Sequence, residues 1–245
     1  MGTLAHKIQK LLFRLLGLKT YLNLLSSLFF LIYKMGLLRS NPVYEYHYFV
    51  RKLIKSGDHV LDLGTNLGYY SQIFAQLVGK SGRVISIEAI PLFSEVAKKR
   101  LRSKDNCEVH NVAFGLEEKN ITLQVPFEAG LPRHGRASIS DVPPDNVEYV
   151  QFEARMVRGS AYLSFLGRLD YIKCDIEGYE QYVIPEMRPL LDRFRPVLQI
   201  ETSGEHRQGV LEFLERQGYE RYNLENGKLH KNLPEASRYY EFIFI

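Results

Sequence analysis

Hydrophobic and polar positions along the chain switch between a strand period and a helix period. His59 to Leu63 is a short apolar run ending in Asp62-Leu63-Gly64, which predicts a buried parallel strand. Beyond the turn Gly64-Thr65-Asn66-Leu67-Gly68, the residues Tyr70, Ile73, Phe74 and Leu77 fall at helical spacing. A helix over 69–78 follows, stopped by Gly79-Lys80-Ser81-Gly82. RVISIEAIP predicts a second strand closed by Glu88 and Pro91. Residues 92–103 form a helix with Phe93, Val96, Ala97 and Leu101 on one face, and CEVHNVAFG is a third strand ending at Asn111-Val112-Ala113. ITLQVPF alternates like an edge strand or hairpin arm. From Glu128 to Ser160 the period lapses, and this Pro-, Gly- and Ser-rich stretch is expected to be an irregular substrate lid. Order returns with a strand over Leu169 to Cys174, the turn Asp175-Ile176-Glu177-Gly178 and a helix from Tyr179. RPVLQIETSGEH repeats the pattern with Glu201 and His206, a helix GVLEFLERQGY comes next, and SRYYEFIFI is the last strand. Two successive βαβαβ runs predict a doubly wound α/β sheet, a Rossmann-like fold.

Composition adds a second segment to this picture. At 245 residues and 45% hydrophobic, the chain can bury one enzyme-sized core. Cys107 and Cys174 are far apart in apolar contexts, which points to free thiols in a reducing, cytoplasmic setting and not to a zinc site. Residues 1–40 carry Lys7, Lys10, Arg14, Lys19, Lys34 and Arg39 and no acid, so they hold +6 of a net +4 and leave −2 for the remainder. The segment is rich in leucine, yet its longest uncharged run, Thr20 to Tyr33, is 14 residues, short of the ~18 to 20 that a spanning helix needs. Residues 1–45 are therefore expected to be a basic amphipathic helical pair that makes peripheral contact with the inner face of a membrane, caps the fold, or does both. Residues 46–245 are expected to be the catalytic domain. That domain has no basic groove and no base-flipping motif, which argues against a nucleic-acid partner.

The glycine turn narrows the ligand. A carboxylate at the second strand tip, Glu88, lies 20 residues after Gly68, where a doubly wound fold binds ribose hydroxyls. A dinucleotide loop needs Gly-x-Gly-x-x-Gly for its pyrophosphate, but Asn66 stands at the middle glycine. Asp62 would also repel a pyrophosphate, whereas it suits a cationic amino-acid moiety. The pattern fits S-adenosylmethionine. A sulfonium methyl is already electrophilic, so the remaining task is to hold an acceptor oxygen in line at ~3 Å and take its proton. Asp175 is the first candidate for that base, the alternative being a helix cap. Glu177 and His206 are further candidates. Magnesium held by Asp175 and Glu201 is an open alternative that nothing in the spacing demands, and no metal ligand is assigned.

VLDLGTNLGYYS, VISIEAIP, the Asn-x-Ala of NVAFG, the Arg-Ala-Ser of GRASIS, IKCDIEGYE and LQIET, in that order, resemble the FkbM family of S-adenosylmethionine-dependent methyltransferases. The resemblance runs from about Gly57 to the C-terminus. It implies a seven-stranded class I methyltransferase sheet with an antiparallel last strand, and O-methylation of a saccharide, glycan or related hydroxyl-bearing metabolite. It also implies that Asp62, Gly64, Asn66 and Gly68 line the amino-acid end of the cofactor, Glu88 its ribose and Ala113 its adenine. The basic N-terminus lies outside the resemblance and suggests a lipid-linked or membrane-associated acceptor. The alternatives are an inactive membrane-surface module on a methyltransferase scaffold and a nucleic-acid methyltransferase.

Overall fold

A computed structural model describes residues 4–139, 148–231 and 240–245. The chain begins with a long helix, α1 (Leu4–Lys34), which bends at Gly17, where φ 69° and ψ 168° leave the helical region. Beyond the bend Tyr21, Leu22, Ser26, Phe30 and Tyr33 are buried, a spacing that keeps them on one side of the helix. The Ser26 hydroxyl donates to the Leu67 carbonyl at 3.0 Å, and Arg100 Nε donates to Ser26 Oγ at 3.2 Å. A turn over Pro42–Tyr44, capped by Asn41, leads into the short α2 (Glu45–Phe49).

The expected alternation follows. Strand β1 (His59–Leu63), α3 (Tyr69–Val78), β2 (Arg83–Ile87), α4 (Pro91–Leu101) and β3 (Cys107–His110) form the first half. A second, mostly antiparallel sheet comes next: β4 (Ala113–Gly115), β5 (Lys119–Glu128), β6 (Leu131–Pro132), β7 (Ser138–Ile139) and β8 (Tyr149–Arg158). After α5 (Gly159–Tyr162), the main sheet resumes with β9 (Tyr171–Cys174), α6 (Glu180–Glu186), α7 (Arg188–Phe194), β10 (Val197–Glu201) and α8 (Arg207–Arg216). It closes with β11 (Arg221–Glu225), β12 (Lys228–Lys231) and β13 (Glu241–Phe244).

The main sheet has the order β12-β11-β13-β10-β9-β1-β2-β3. Strands β3, β2, β1, β9 and β10 run parallel, and β13 inserts antiparallel between β10 and β11. This is the doubly wound, Rossmann-like arrangement expected, with the antiparallel strand in place. Strand β12 is an addition to the seven: among the described residues it pairs only with β11, across the Asn226-Gly227 hairpin turn.

Strand alternation assigns the two faces. Leu61, Leu63, Ile85, Ile87, Ile172, Cys174, Leu198 and Ile200 face one core with α6, α7 and α8. On the other face Val60, Val84 and Tyr171 join Ile73 and Phe74 of α3 and Phe30 and Tyr33 of α1 in a second core. That second face also carries a buried polar row. Ser86 is opposite Asp62, Asp62 opposite Lys173, and Lys173 opposite Gln199, so four neighbouring strands place polar side chains at one level.

Two expectations are corrected by the second sheet. The third strand ends at His110, and Ala113 instead opens β4, paired in parallel with β8. The segment from Glu128 to Ser160 is not irregular throughout: Tyr149–Arg158 is a strand, β8, paired antiparallel with β5 from Lys119↔Met156 to Pro126↔Tyr149, whereas residues 129–139 hold only the two-residue strands β6 and β7 between turns. Val150, Phe152, Ala154 and Met156 turn toward a core built with α4 and α1, while Gln151, Glu153 and Arg155 are exposed. Residues 140–147 of that expected lid lie outside the described residues.

Candidate active site

The carboxyl ends of β1, β2, β9 and β10 open into a cavity of about 680 Å³, where an open α/β sheet binds its ligand. Gly64, Glu88, Asp175 and Glu201 each contribute from one of these strand ends. The second sheet and its connections supply another wall through Ala113, Leu123, His134, Gly135, Ala137 and Ile139. Ile90 and Phe93 come from the start of α4, and Tyr179, Tyr182 and His206 from around α6 and α8.

Gly64 is required by a close approach. Its φ is +80°, and a Cβ placed on it would lie 1.7 Å from the Asp175 carbonyl oxygen, far inside contact distance. The strand pairing makes the approach unavoidable, because Asp175 N donates to Leu63 O at 3.0 Å. Two residues on, Asn66 takes φ 53°, a left-handed conformation that asparagine tolerates better than most residues. Its N–H donates to Glu88 Oε2 at 2.7 Å, and Glu88 Oε1 accepts from Ile90 N at 2.9 Å. The glycine turn and the acid at the second strand tip are thus one hydrogen-bonded unit. Burial pushes Glu88 up to about 7 against the pull of the Ile90 and Asn66 amides.

His134 was not among the residues expected in the site. Its carbonyl accepts from Asn66 Nδ2 at 3.2 Å and its Nδ1 lies 3.1 Å from Asn66 Oδ1. Burial, then the Arg133 charge, lowers it to about 4, so the ring is neutral at physiological pH. Asn66 is held from both sides, by the second strand tip and by the second sheet. The only sequence signal for this contact was the GRASIS motif next to His134.

Two expected cofactor-lining residues stand elsewhere. Asp62 is 1% exposed and faces α3, where Ser71 donates to its Oδ2, and Ser71 and Ser86 hydroxyls lie 2.8 Å apart. Burial raises Asp62 to about 6, outweighing the Ser71 bond and the Lys173 charge. Alternation explains the displacement: with Leu61 and Leu63 on the face toward α6, Asp62 must point to the other. Gly68 also lies off the cavity, at the N-terminus of α3 with φ 86° and against Ala97 and Arg100 of α4. Gly64, Asn66, Glu88 and Ala113 remain on the cavity wall.

The opposite wall holds Asp175, Glu177, Glu201 and His206. The helix-cap alternative for Asp175 is not what the geometry shows: Glu180 Oε1 accepts from Ile176 N at 2.8 Å and Gly178 N at 3.3 Å and thereby caps this turn itself. Asp175 is left facing the cavity, with Lys173 Nζ 3.4 Å behind it. That ammonium is buried and lies 3.6 Å from Glu241 Oε1 and 5.2 Å from the Tyr70 ring centroid. Burial alone would lower the Lys173 pKa, but Asp175 and Glu241, then Glu201 and Asp62, together hold it above its ordinary value. Glu177 takes φ 55° at the turn, and burial with the nearby Asp175 pushes it up to about 8. Glu201 is likewise raised to about 8 by burial and then Asp175. His206 is half-exposed at the start of α8, 3.3 Å from Glu205 Oε1. Among the described residues, no group of three His, Cys, Asp or Glu side chains converges on a metal position.

The lining therefore carries four carboxylates and, among the described residues, no lysine or arginine. Its chemistry suits a cationic ligand and a proton acceptor.

Strand order, antiparallel β13 and a glycine turn joined to the acid of β2 define the class I, S-adenosylmethionine-dependent methyltransferase fold. Comparison with known proteins agrees with that class. Residues 43–133 match the family described as protein-L-isoaspartate(D-aspartate) O-methyltransferase. Protein-L-isoaspartate O-methyltransferase 2 of Archaeoglobus fulgidus is 36% identical over 106 residues, covering 42% of this chain and 46% of that protein. The Methanococcus aeolicus protein-L-isoaspartate O-methyltransferase is 47% identical over 49 residues, covering 20% of this chain and 23% of its own. The chain thus matches less than half the length of these curated relatives. Among solved structures, the methyltransferase FkbM of Methylobacillus flagellatus superposes with a TM-score of 0.49 at 17% identity, covering 78% of this chain and 44% of that one.

Proposed function

We propose that the protein is an S-adenosylmethionine-dependent O-methyltransferase whose acceptor is a neutral hydroxyl of a saccharide, glycan or related metabolite. The observation that carries this reading is the set of acids on one wall, Asp175, Glu177 and Glu201, of which Asp175 faces the cavity with the Lys173 ammonium 3.4 Å behind it. A carboxylate acceptor is already nucleophilic and needs no base. A hydroxyl needs a base within reach, and Asp175 supplies one that no helix cap occupies.

Gly64, Asn66, Glu88 and Ala113 would hold the cofactor, with the open lone pairs of Glu88 available to ribose hydroxyls. The bound cofactor supplies an electrophilic methyl on a sulfonium. Asp175 would orient the acceptor O–H and take its proton. Glu177 and Glu201 keep that end of the cavity acidic. His206 would contact the acceptor.

A second reading, a protein carboxyl as acceptor, is favoured by the names of the relatives. The family match, however, ends at residue 133 and covers the cofactor wall, whereas Asp175, Glu177, Glu201 and His206 lie beyond it. The motif resembling the FkbM family, IKCDIEGYE, lies on the unmatched wall. The cytoplasmic setting and peripheral membrane contact of residues 1–40 belong to the proposal too.

Methyl-labelled S-adenosylmethionine, offered with a saccharide and glycolipid extract or with an isoaspartyl peptide, separates the readings. The expected product is a methyl ether that survives mild alkali. An alkali-labile ester on the peptide would overturn the hydroxyl assignment. Asp175→Asn should lower kcat by roughly 10²- to 10⁴-fold.

A further inference from the structure

Helix α1 buries one side and leaves the other to solvent. Beyond the bend, Leu24, Leu28 and Leu31 are exposed, and so is Met35 just past the helix end. Their spacing of four, three and four residues keeps them on one face. Before the bend Ile8, Leu11 and Leu15 are exposed at helical spacing too, Leu15 by 72%. Contiguous aliphatic surface of this kind marks an interaction site on a soluble fold. The charge around it has one sign: Lys7, Arg14, Lys34 and Arg39 are exposed, Lys19 is paired with Glu95 at 2.6 Å, and no acid precedes Glu45.

We propose that this face docks the protein on a bilayer containing anionic phospholipid, with the leucines at the boundary of headgroups and acyl chains and the lysines and arginines against the phosphates. The proposal deepens the membrane part of the reading above and does not depend on the acceptor's chemistry. Contrary to the expectation from its 14-residue uncharged run, His6–Lys34 is by length and composition long and apolar enough to cross a membrane, with a mean hydropathy of 1.6 over an 18-residue window. The opposite side of the helix is committed to the protein, however, through buried Tyr21, Leu22 and Phe30 and the Ser26–Leu67 bond, so it lies on the surface instead of spanning. A second copy of the chain is the competing occupant, but a two-fold contact would bring like charges together. The docked helix also packs on the hairpin that leads to the cavity wall. Phe13 packs on Phe127 with ring centroids 5.9 Å apart, and Lys10 lies against Gly130. The chain beyond that hairpin reaches His134 and Ala137 of the cavity wall within a few residues. An acceptor held in the same bilayer would be presented beside the site.

Co-sedimentation of the full chain with vesicles of phosphatidylcholine, with and without phosphatidylglycerol, tests this. Retention is expected only with phosphatidylglycerol and is reversed by salt and by alkaline carbonate. Leu28→Asp with Leu31→Asp should weaken the partition by at least about tenfold. Lys7→Gln, Arg14→Gln and Lys34→Gln together should weaken it by roughly a hundredfold. Calorimetric binding of S-adenosylmethionine should be unchanged in both variants, which shows that they fold. Retention unaffected by either set, carbonate-resistant insertion, or a concentration-dependent dimer that only the leucine substitutions dissolve would overturn the proposal. Loss of cofactor binding by the wild-type chain with retention intact would sink the methyltransferase reading and leave the docking surface standing.

Discussion

Replacing Lys173 by methionine tests whether the buried polar row carries the charge balance of the site. Methionine keeps the length and apolar stem of lysine and removes only the ammonium. The Nζ is 3.4 Å from Asp175 Oδ2 and 3.6 Å from Glu241 Oε1, on a side chain only 1% exposed. Removing one partner of a buried ion pair costs about 3 to 5 kcal/mol. Because Asp175 is one-third exposed and can be rehydrated, the loss at pH 8 should sit near the lower end, about 3 kcal/mol. For a chain of this size that lowers the melting temperature by roughly 6 to 12 °C. The pH dependence has a definite sign. Without the ammonium, the folded-state pKa values of Glu201 and Glu241, which Lys173 holds down, rise further above their unfolded values, so the folded variant binds more protons than its unfolded chain. Its stability is then fully present below the ordinary Glu value of 4.5 and is lost as pH rises toward and past about 8, where Glu201 titrates even with the lysine in place. Melting curves of wild type and variant at pH 5 and pH 8 give the answer. A melting temperature unchanged at pH 8, or an equal loss at both pH values, would refute the charge argument and reduce Lys173 to packing.

Two further outcomes follow from the cofactor wall. Gly64→Ala drives a Cβ to 1.7 Å from the Asp175 carbonyl at a positive φ, so β1 and β9 must separate: a loss of more than about 3 kcal/mol of stability is expected, together with loss of cofactor binding. Gly68→Ala, whose nearest neighbour would be 3.5 Å away, should cost only the left-handed backbone, about 1 kcal/mol, and calorimetric melting of the pair would expose the error if the two behaved alike. Binding of a sulfonium should lower the raised carboxyls at about 7 and about 8 and expel protons. Affinity for S-adenosylmethionine should then rise by up to about tenfold per pH unit between pH 6 and 8, and titration in buffers of different ionisation enthalpy would report a pH-independent enthalpy if no proton were released.

The sequence was most legible where one local rule dominated. The strands around Leu61, Ile85, Ile172 and Ile200 are apolar runs closed by turn residues, and both tertiary structure and periodicity demand the same element there. Asp62 marks the limit of that reading: its place beside Gly64 in sequence suggested the cofactor, but which face it takes depends on the pairing of Leu61 and Leu63 with a helix about 120 residues downstream, and no local pattern encodes that. Strand β5 was legible as the alternating arm ITLQVPF, but its partner β8 was missed although Val150, Phe152, Ala154 and Met156 alternate cleanly, because the proline-rich stretch between the two broke the pattern. His134 was illegible for the same reason, since it becomes a site residue only when that sheet closes over Asn66. The acceptor wall completes the argument. Asp175, Glu177 and Glu201 were found as strand-tip acids, but their shared environment is a product of three-dimensional crowding: Asp175 raises both Glu177 and Glu201, and Glu180 withdraws to cap the turn and leaves Asp175 free. The family match ends at residue 133, before this cluster, so the environment of these acids comes from the pairing of β9 and β10 and not from any segment the match covers.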